Sequence, residues 1–178
     1  MTFKQSWYRF KQFRQAVRSK LTYSDVEFIR QYLTKQEQII FYRMQVVDQK
    51  HSLLLAHKCL NRNHVAQEID KNKLIRAALM HDAGKAWMKI ALFHRILYVL
   101  LEKFGNGKLL GNLARENSKL RFRRVLWTLL HHGETGARLL MTFEEDPEIV
   151  NTVLNHHNKP TTREGYIIPI IREIDNQV

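Results

Sequence analysis

Apolar residues recur along this chain at intervals of three and four and hardly anywhere in strict alternation, a pattern that predicts helices. Near the N-terminus, Phe3, Trp7, Phe10 and Val17 keep helical spacing, with Phe13 nearby, among Lys4, Lys11, Arg14 and Arg18. That pattern suits either an interfacial helix or a terminal helix packed on the body. Residues 24–44 read as one helix opened by Ser24 as N-cap, with Asp25 and Glu27 in the first turn. Val26, Phe28, Ile29 and Leu33 form its apolar face. A helix over about 48–60 places His51, Leu54, Leu55 and Cys59 on one stripe and so turns His51 inward. Another over about 73–81 runs through Leu74, Ile75, Ala78 and Leu79, carries Asp82 to the buried side beside His81, and meets Gly84 as a helix stop.

Residues 86–101 are strongly apolar but are interrupted by Lys89, His94 and Arg95. The stretch is too short and too charged to span a bilayer, which takes about 20 apolar residues. It reads as a core or interfacial helix ended by Gly105-Asn106-Gly107. The basic run 119–124 leads into apolar 125–131, and Gly133-Glu134-Thr135-Gly136 opens a short helix through Met141. Asp146-Pro147 is a helix start, with Asp as N-cap and Pro at the first position, and that helix ends at His156-His157. After the loop 159–162, a last apolar segment, 166–174, ends in Asp175. No repeat, low-complexity tract or hairpin signal interrupts this all-α reading.

Length and composition add boundaries. At 178 residues, with three prolines and seven glycines, the chain is most simply one domain with a full core. The single cysteine, Cys59, has no partner for an internal disulfide and suits a reducing, cytoplasmic setting; no secretory signal is apparent. The net charge of +12 is unevenly placed. Residues 1–20 hold six Lys/Arg and no acid, and residues 84–125 hold ten against Glu102 and Glu116. The rest is about neutral. Two cationic, aromatic-bearing pieces, 1–20 and 86–124, suit an anionic partner, a membrane first and nucleic acid second, and make a membrane-peripheral location the expectation beside a purely solubilising role.

The side chains that can carry chemistry are scattered: His51, His81-Asp82, His132, His156-His157 and Asp175. Imidazoles and carboxylates without thiolates suit Mn, Fe, Mg, Co, Ni or Zn in a hydrolytic site. A structural zinc would need CxxC-type spacing and a zinc-protease helix would need HExxH; neither occurs. Adjacent helical side chains diverge, so an imidazole can serve one metal while the neighbouring carboxylate bridges two.

The order His…His-Asp…Asp around Met80-His81-Asp82-Ala83-Gly84-Lys85 resembles the HD-domain metal-dependent phosphohydrolase superfamily over roughly residues 45–178. His132-Gly133-Glu134-Thr135-Gly136 and His156-His157 look like the HPEIG and HHE motifs of its HD-GYP branch. The resemblance implies a single-domain helical bundle, with an HD core at 45–178 that follows N-terminal basic helices at 1–44 and carries a basic apolar insertion at about 86–124. It implies one metal held by His51, His81, Asp82 and Asp175, and a second held by His132, His156 and His157, with Asp82 bridging. Lys85 would contact the phosphate. Val47 stands where trinuclear members place a glutamate, so two metals are expected, not three. Asn158 replaces the glutamate of HHE and Gly165-Tyr166-Ile167 replaces GYP, which weakens cyclic di-GMP as the substrate. The implied activity is cleavage of a phosphate ester, a nucleotide or cyclic nucleotide foremost, by hydroxide activated at a dinuclear centre. The alternative is a non-catalytic signalling domain that binds metal and nucleotide.

Overall fold

The computed structural model describes residues 20–62, 69–104, 107–162 and 164–178, and every regular element among them is helical. The first element, α1 (Tyr23–Tyr32), is opened by Thr22. The Thr22 hydroxyl accepts from the Asp25 N–H, and the Asp25 carboxylate accepts from the Thr22 N–H at 2.6 Å. The N-cap is therefore Thr22, not Ser24. The sequence pattern runs 24–44 as one helix, but a second reciprocal cap, Thr34 with Glu37, starts α2 (Lys35–Arg43) after Leu33 turns extended. Each such cap is worth about 1 kcal/mol, enough to divide a chain of even apolar spacing.

Next come α3 (Val46–Leu60), α4 (Lys71–Met80) and a 3₁₀ turn (Ala83–Lys85). Leu54 lies on the exposed side of α3, off the stripe assigned to it, while Leu55 and Cys59 are buried. Asp70 caps α4 through the amide N–H groups of Asn72 and Lys73, so this helix starts before residue 73. In the apolar stretch 86–101, only Leu92 onward is helical, as α5 (Leu92–Phe104). That helix ends at Phe104, directly before Gly105-Asn106-Gly107 as expected, and Gly107 already opens α6 (Gly107–Leu113).

The long α7 (Arg121–Met141) also departs from expectation, because the segment expected to start afresh at Gly133 continues from residue 121. A break in torsion at His131 (φ −113°, ψ 16°) divides it. There the Thr135 hydroxyl donates to the carbonyl oxygens of His131 and His132 at 3.0 and 3.3 Å, a back-bond of the kind that bends helices. The helix α8 (Pro147–Asn155) begins at Asp146-Pro147 as the sequence predicts, with Asp146 accepting from the Glu148 N–H. The last, α9 (Ile167–Asp175), is lined inward by Ile167, Ile170, Ile171 and Ile174.

The main core joins α1, α2, α3, α4, α8 and α9 with the C-terminal part of α7, around Phe41, Leu55, Leu79, Leu140, Ile149 and Ile171. Residues 20–44 share this core, contributing Ile29, Leu33, Ile40 and Phe41. The N-terminal half of α7 serves two smaller clusters, one with Ile90 and one with Leu110 and Ala114, both supported by Tyr98 of α5. Segment 86–124 and the N-terminal half of α7 thus pack together around two small cores, a lobe beside the main one.

Within the main body, Arg76 lies between two nearly buried carboxylates, 2.6 Å from Glu145 and 3.2 Å from Glu37. Burial pushes the Glu37 carboxyl upward despite the Thr34 amide and Arg76 beside it. Removing only the cation leaves two acids facing each other, a loss of about 3–5 kcal/mol for a broken buried pair. Arg76→Met is expected to lower the urea midpoint by a corresponding amount. An unchanged midpoint would show that these charges are solvated.

Candidate metal centre

Helix ends carry the potential ligands to one place. His81 is the residue on which α4 ends, and Asp82 follows it into the 3₁₀ turn. His156 ends α8 and Asp175 ends α9, while His132 directly follows the break in α7. His51 sits within α3 away from its ends, turned toward Asp175 with Nε2 2.8 Å from Oδ1.

Two glycines allow this convergence. A Cβ on Gly84 would run into the carbonyl oxygen of His132, and one on Gly136 would lie 2.9 Å from the Gly84 nitrogen. The 3₁₀ turn therefore presses directly on α7, which sets Asp82 and Lys85 against His132. Gly84 is needed for close approach, not for a left-handed stop; no glycine among the described residues has positive φ.

Three imidazoles are oriented in the same way. The Nδ1 of His81, His132 and His156 each lies 2.8 Å from a backbone carbonyl, that of Ala78, Leu129 and Val153 respectively. A carbonyl can only accept, so each Nδ1 carries the proton and each Nε2 presents a lone pair, which on His132 accepts from the His157 Nε2–H at 3.1 Å. The Nε2 atoms of His81 and His156 are buried without a hydrogen-bond partner. His81 Nε2 faces carboxylate oxygens at 3.6 Å (Asp82) and 3.8 Å (Asp175), too far for a proton to bridge. Lone pairs converging in a buried space need a cation between them. This chemistry fits divalent metal.

Two ligand groups can be drawn. His51, His81 and Asp82 form one, which Asp175 adjoins; His132, His156 and His157 form the other. Asp82, 2% exposed, lies between them, with Oδ1 3.3 Å from His132 Nε2 and Oδ2 toward His81. His81 and His156 meet across the divide with ring centroids 5.2 Å apart. Lys85 Nζ is 2.6 Å from Asp82 Oδ1.

Electrostatics separates the two groups. Burial alone would raise Asp82, but Lys85 and then the surrounding imidazoles hold its carboxyl well below the usual range. Burial pulls His51 down, yet the hydrogen bond to Asp175 and the Asp82 charge leave it raised. His132 is driven by burial and Lys85 down to about 3, and burial lowers His156; His157 is lowered too, by the protein around its ring, although its side chain reaches the surface. Buried Cys59 is pushed up to about 12, which leaves it an inert thiol.

Every potential ligand read from the sequence lies at this one site, and Val47 is buried in α3 without a donor to offer. The sequence reading missed the role of Asp48. This buried acid accepts a fork from Arg95 at 2.7 and 2.7 Å, and Gln45 beside it accepts the Ile90 N–H. The signal was an arginine inside an otherwise apolar helix, which needs a buried acid. His131, although adjacent to a ligand candidate, stacks on Trp127 and faces its carbonyl.

A family model for the HD domain matches residues 49–175. No curated protein and no solved structure matches the chain.

Proposed function

The chain belongs to the HD-domain family, and on that premise we propose that it is a metal-dependent phosphohydrolase that opens a phosphate ester, a nucleotide or cyclic nucleotide foremost. The observation that carries this reading is the pair of buried Nε2 atoms of His81 and His156 without hydrogen-bond partners, one in each of two groups of potential ligands, with His81 Nε2 facing Asp82 and Asp175. His51, His81, Asp82 and Asp175 would hold one divalent ion, and His132, His156 and His157 the other, with Asp82 shared. Bound there, the metals supply an acidified water and a counter-charge for the phosphoryl oxygens.

The chain's own residues do the rest. The carbonyls of Ala78, Leu129 and Val153 fix three rings in the tautomer that presents Nε2. Asp82, kept ionised, joins the two halves and holds Lys85 at the pocket. A substrate phosphate competing for Asp82's neighbours would draw the Lys85 ammonium onto a non-bridging oxygen, where it offsets charge growing in the transition state. Lys85→Ala is therefore expected to keep both metals and lose roughly 100- to 1,000-fold in kcat, in line with removal of one such stabiliser. Equal turnover by the variant would remove Lys85 from the chemistry.

The two groups should also part company with pH. A metal entering beside His51 has to displace a proton held by the raised imidazole, so affinity there falls as pH drops through that value. His132, His156 and His157 are all lowered and stay available as the solution is acidified. Calorimetric titration with Mn at descending pH is expected to lose the first site before the second. Simultaneous loss would contradict this assignment of ligands.

Elemental analysis of the purified chain, followed by a screen of phosphate esters with Mn or Fe added, tests the activity. Metal-dependent release of phosphate or nucleotide is expected. Full metal loading with no hydrolysis across the panel would favour a binding role.

A further inference from the structure

The pocket chemistry makes no use of the surface of the 86–124 lobe. Helix α5 has two apolar sides. One, with Tyr98 and Leu101, covers the lobe's own small cores. The other faces out: Phe93, Ile96, Val99 and Leu100 are 61%, 41%, 42% and 48% exposed and follow one another at helical spacing along a single stripe. Four large apolar side chains side by side on a surface mark a contact.

Charge identifies its partner. Lys89, three residues before α5, Lys119, just before α7, and Arg124, in its first turn, are exposed, and between residues 84 and 125 the acids are only Glu102 and Glu116. A second copy would bring the same positive lobe against this one. Residues 1–20, with six basic side chains and no acid, carry the same sign and would be repelled likewise. Nucleic acid would answer the charge but has no use for a stripe of isoleucine, valine and leucine. A bilayer with anionic headgroups satisfies both, because it accepts apolar side chains below its headgroups and cations among them. No helix among the described residues is long and apolar enough to cross it.

We propose that the exposed face of α5 docks this protein on an anionic lipid bilayer, with the helix lying in the interface plane and Lys89 and Lys119 among the headgroups. The lobe is fastened to α3, the helix that carries His51, through the Arg95–Asp48 fork and the Ile90–Gln45 hydrogen bond. Docking would hold the pocket beside the membrane. The proposal does not depend on the pocket being hydrolytic.

Co-sedimentation of the full chain with phosphatidylcholine vesicles, with and without phosphatidylglycerol, tests it. Binding is expected only with the anionic lipid, weakening as salt is added. Lys89→Gln with Lys119→Gln is expected to reduce partitioning by roughly 25-fold, about fivefold for each cation removed. The triple variant Phe93→Gln/Ile96→Gln/Leu100→Gln changes only exposed positions, and circular dichroism and its urea midpoint report whether it folds. It is expected to abolish binding while keeping both the fold and the metals. Unchanged sedimentation of this folded variant overturns the proposal, as does binding that vanishes only when residues 1–19 are removed. A concentration-dependent dimer, or RNA binding, that the triple variant loses while vesicle binding is absent would assign the face to that partner instead.

Discussion

Asp82→Ala is expected to empty both metal positions and to end hydrolysis. The reason is its position between the two ligand groups, with Oδ1 3.3 Å from His132 and Oδ2 3.6 Å from His81. The remaining imidazoles are neutral donors and cannot balance two divalent charges in a buried space; Asp175 alone would be left. Outer partners of a metal ligand are already worth 10- to 100-fold in affinity or activity, so loss of a shared ligand should exceed about 100-fold in both. The fold should survive, because the change removes a buried charge and adds no bulk. Asp82→Asn keeps the shape and one acceptor oxygen but removes the charge, and should retain at most weak binding. Metal content and turnover measured on the same preparation check this. A variant with both metals and full turnover would refute the bridging role.

Gly84→Val is expected to be the most damaging change that touches no ligand. Even the first carbon of the new side chain meets the His132 carbonyl and lies 2.5 Å from the Thr135 hydroxyl oxygen. A backbone carbonyl cannot swing away as a flexible side chain does, so the 3₁₀ turn must lift off α7. Overpacking of this kind costs about 1–3 kcal/mol or more. The same displacement takes Asp82 and Lys85 away from His132, so metal affinity should fall together with stability. Gly84→Ala should show the same effects at smaller size. Thermal melts with and without Mn separate the two: the metal-induced rise in Tm expected for the native chain should shrink or vanish. An unaltered rise would mean that the turn need not touch the helix.

These outcomes rest on parts of the molecule that were unequally legible in the sequence. The helical class was plain from spacing, and Asp146-Pro147 marked a helix start because capping chemistry is local. The cap at Thr34 is equally local, yet the continuous apolar rhythm across Leu33 hid it. The His81-Asp82 pair and the histidines stood out as a ligand set. What placed them together did not, since Gly84 and Gly136 show their purpose only against each other across 52 positions. Charge pairs at long range were the least readable: Arg95 with Asp48, and Arg76 between Glu37 and Glu145, appear in sequence only as polar interruptions of apolar stretches. The aromatic and basic stretch 3–17 lies outside the described residues.

Anomalous diffraction from crystals of the Mn-loaded chain tests the two-metal centre most directly. Two peaks are expected, one among His51, His81 and Asp175 and one among His132, His156 and His157, with the Asp82 carboxylate in contact with both. A single peak, or two that leave Asp82 untouched, would contradict the dinuclear account.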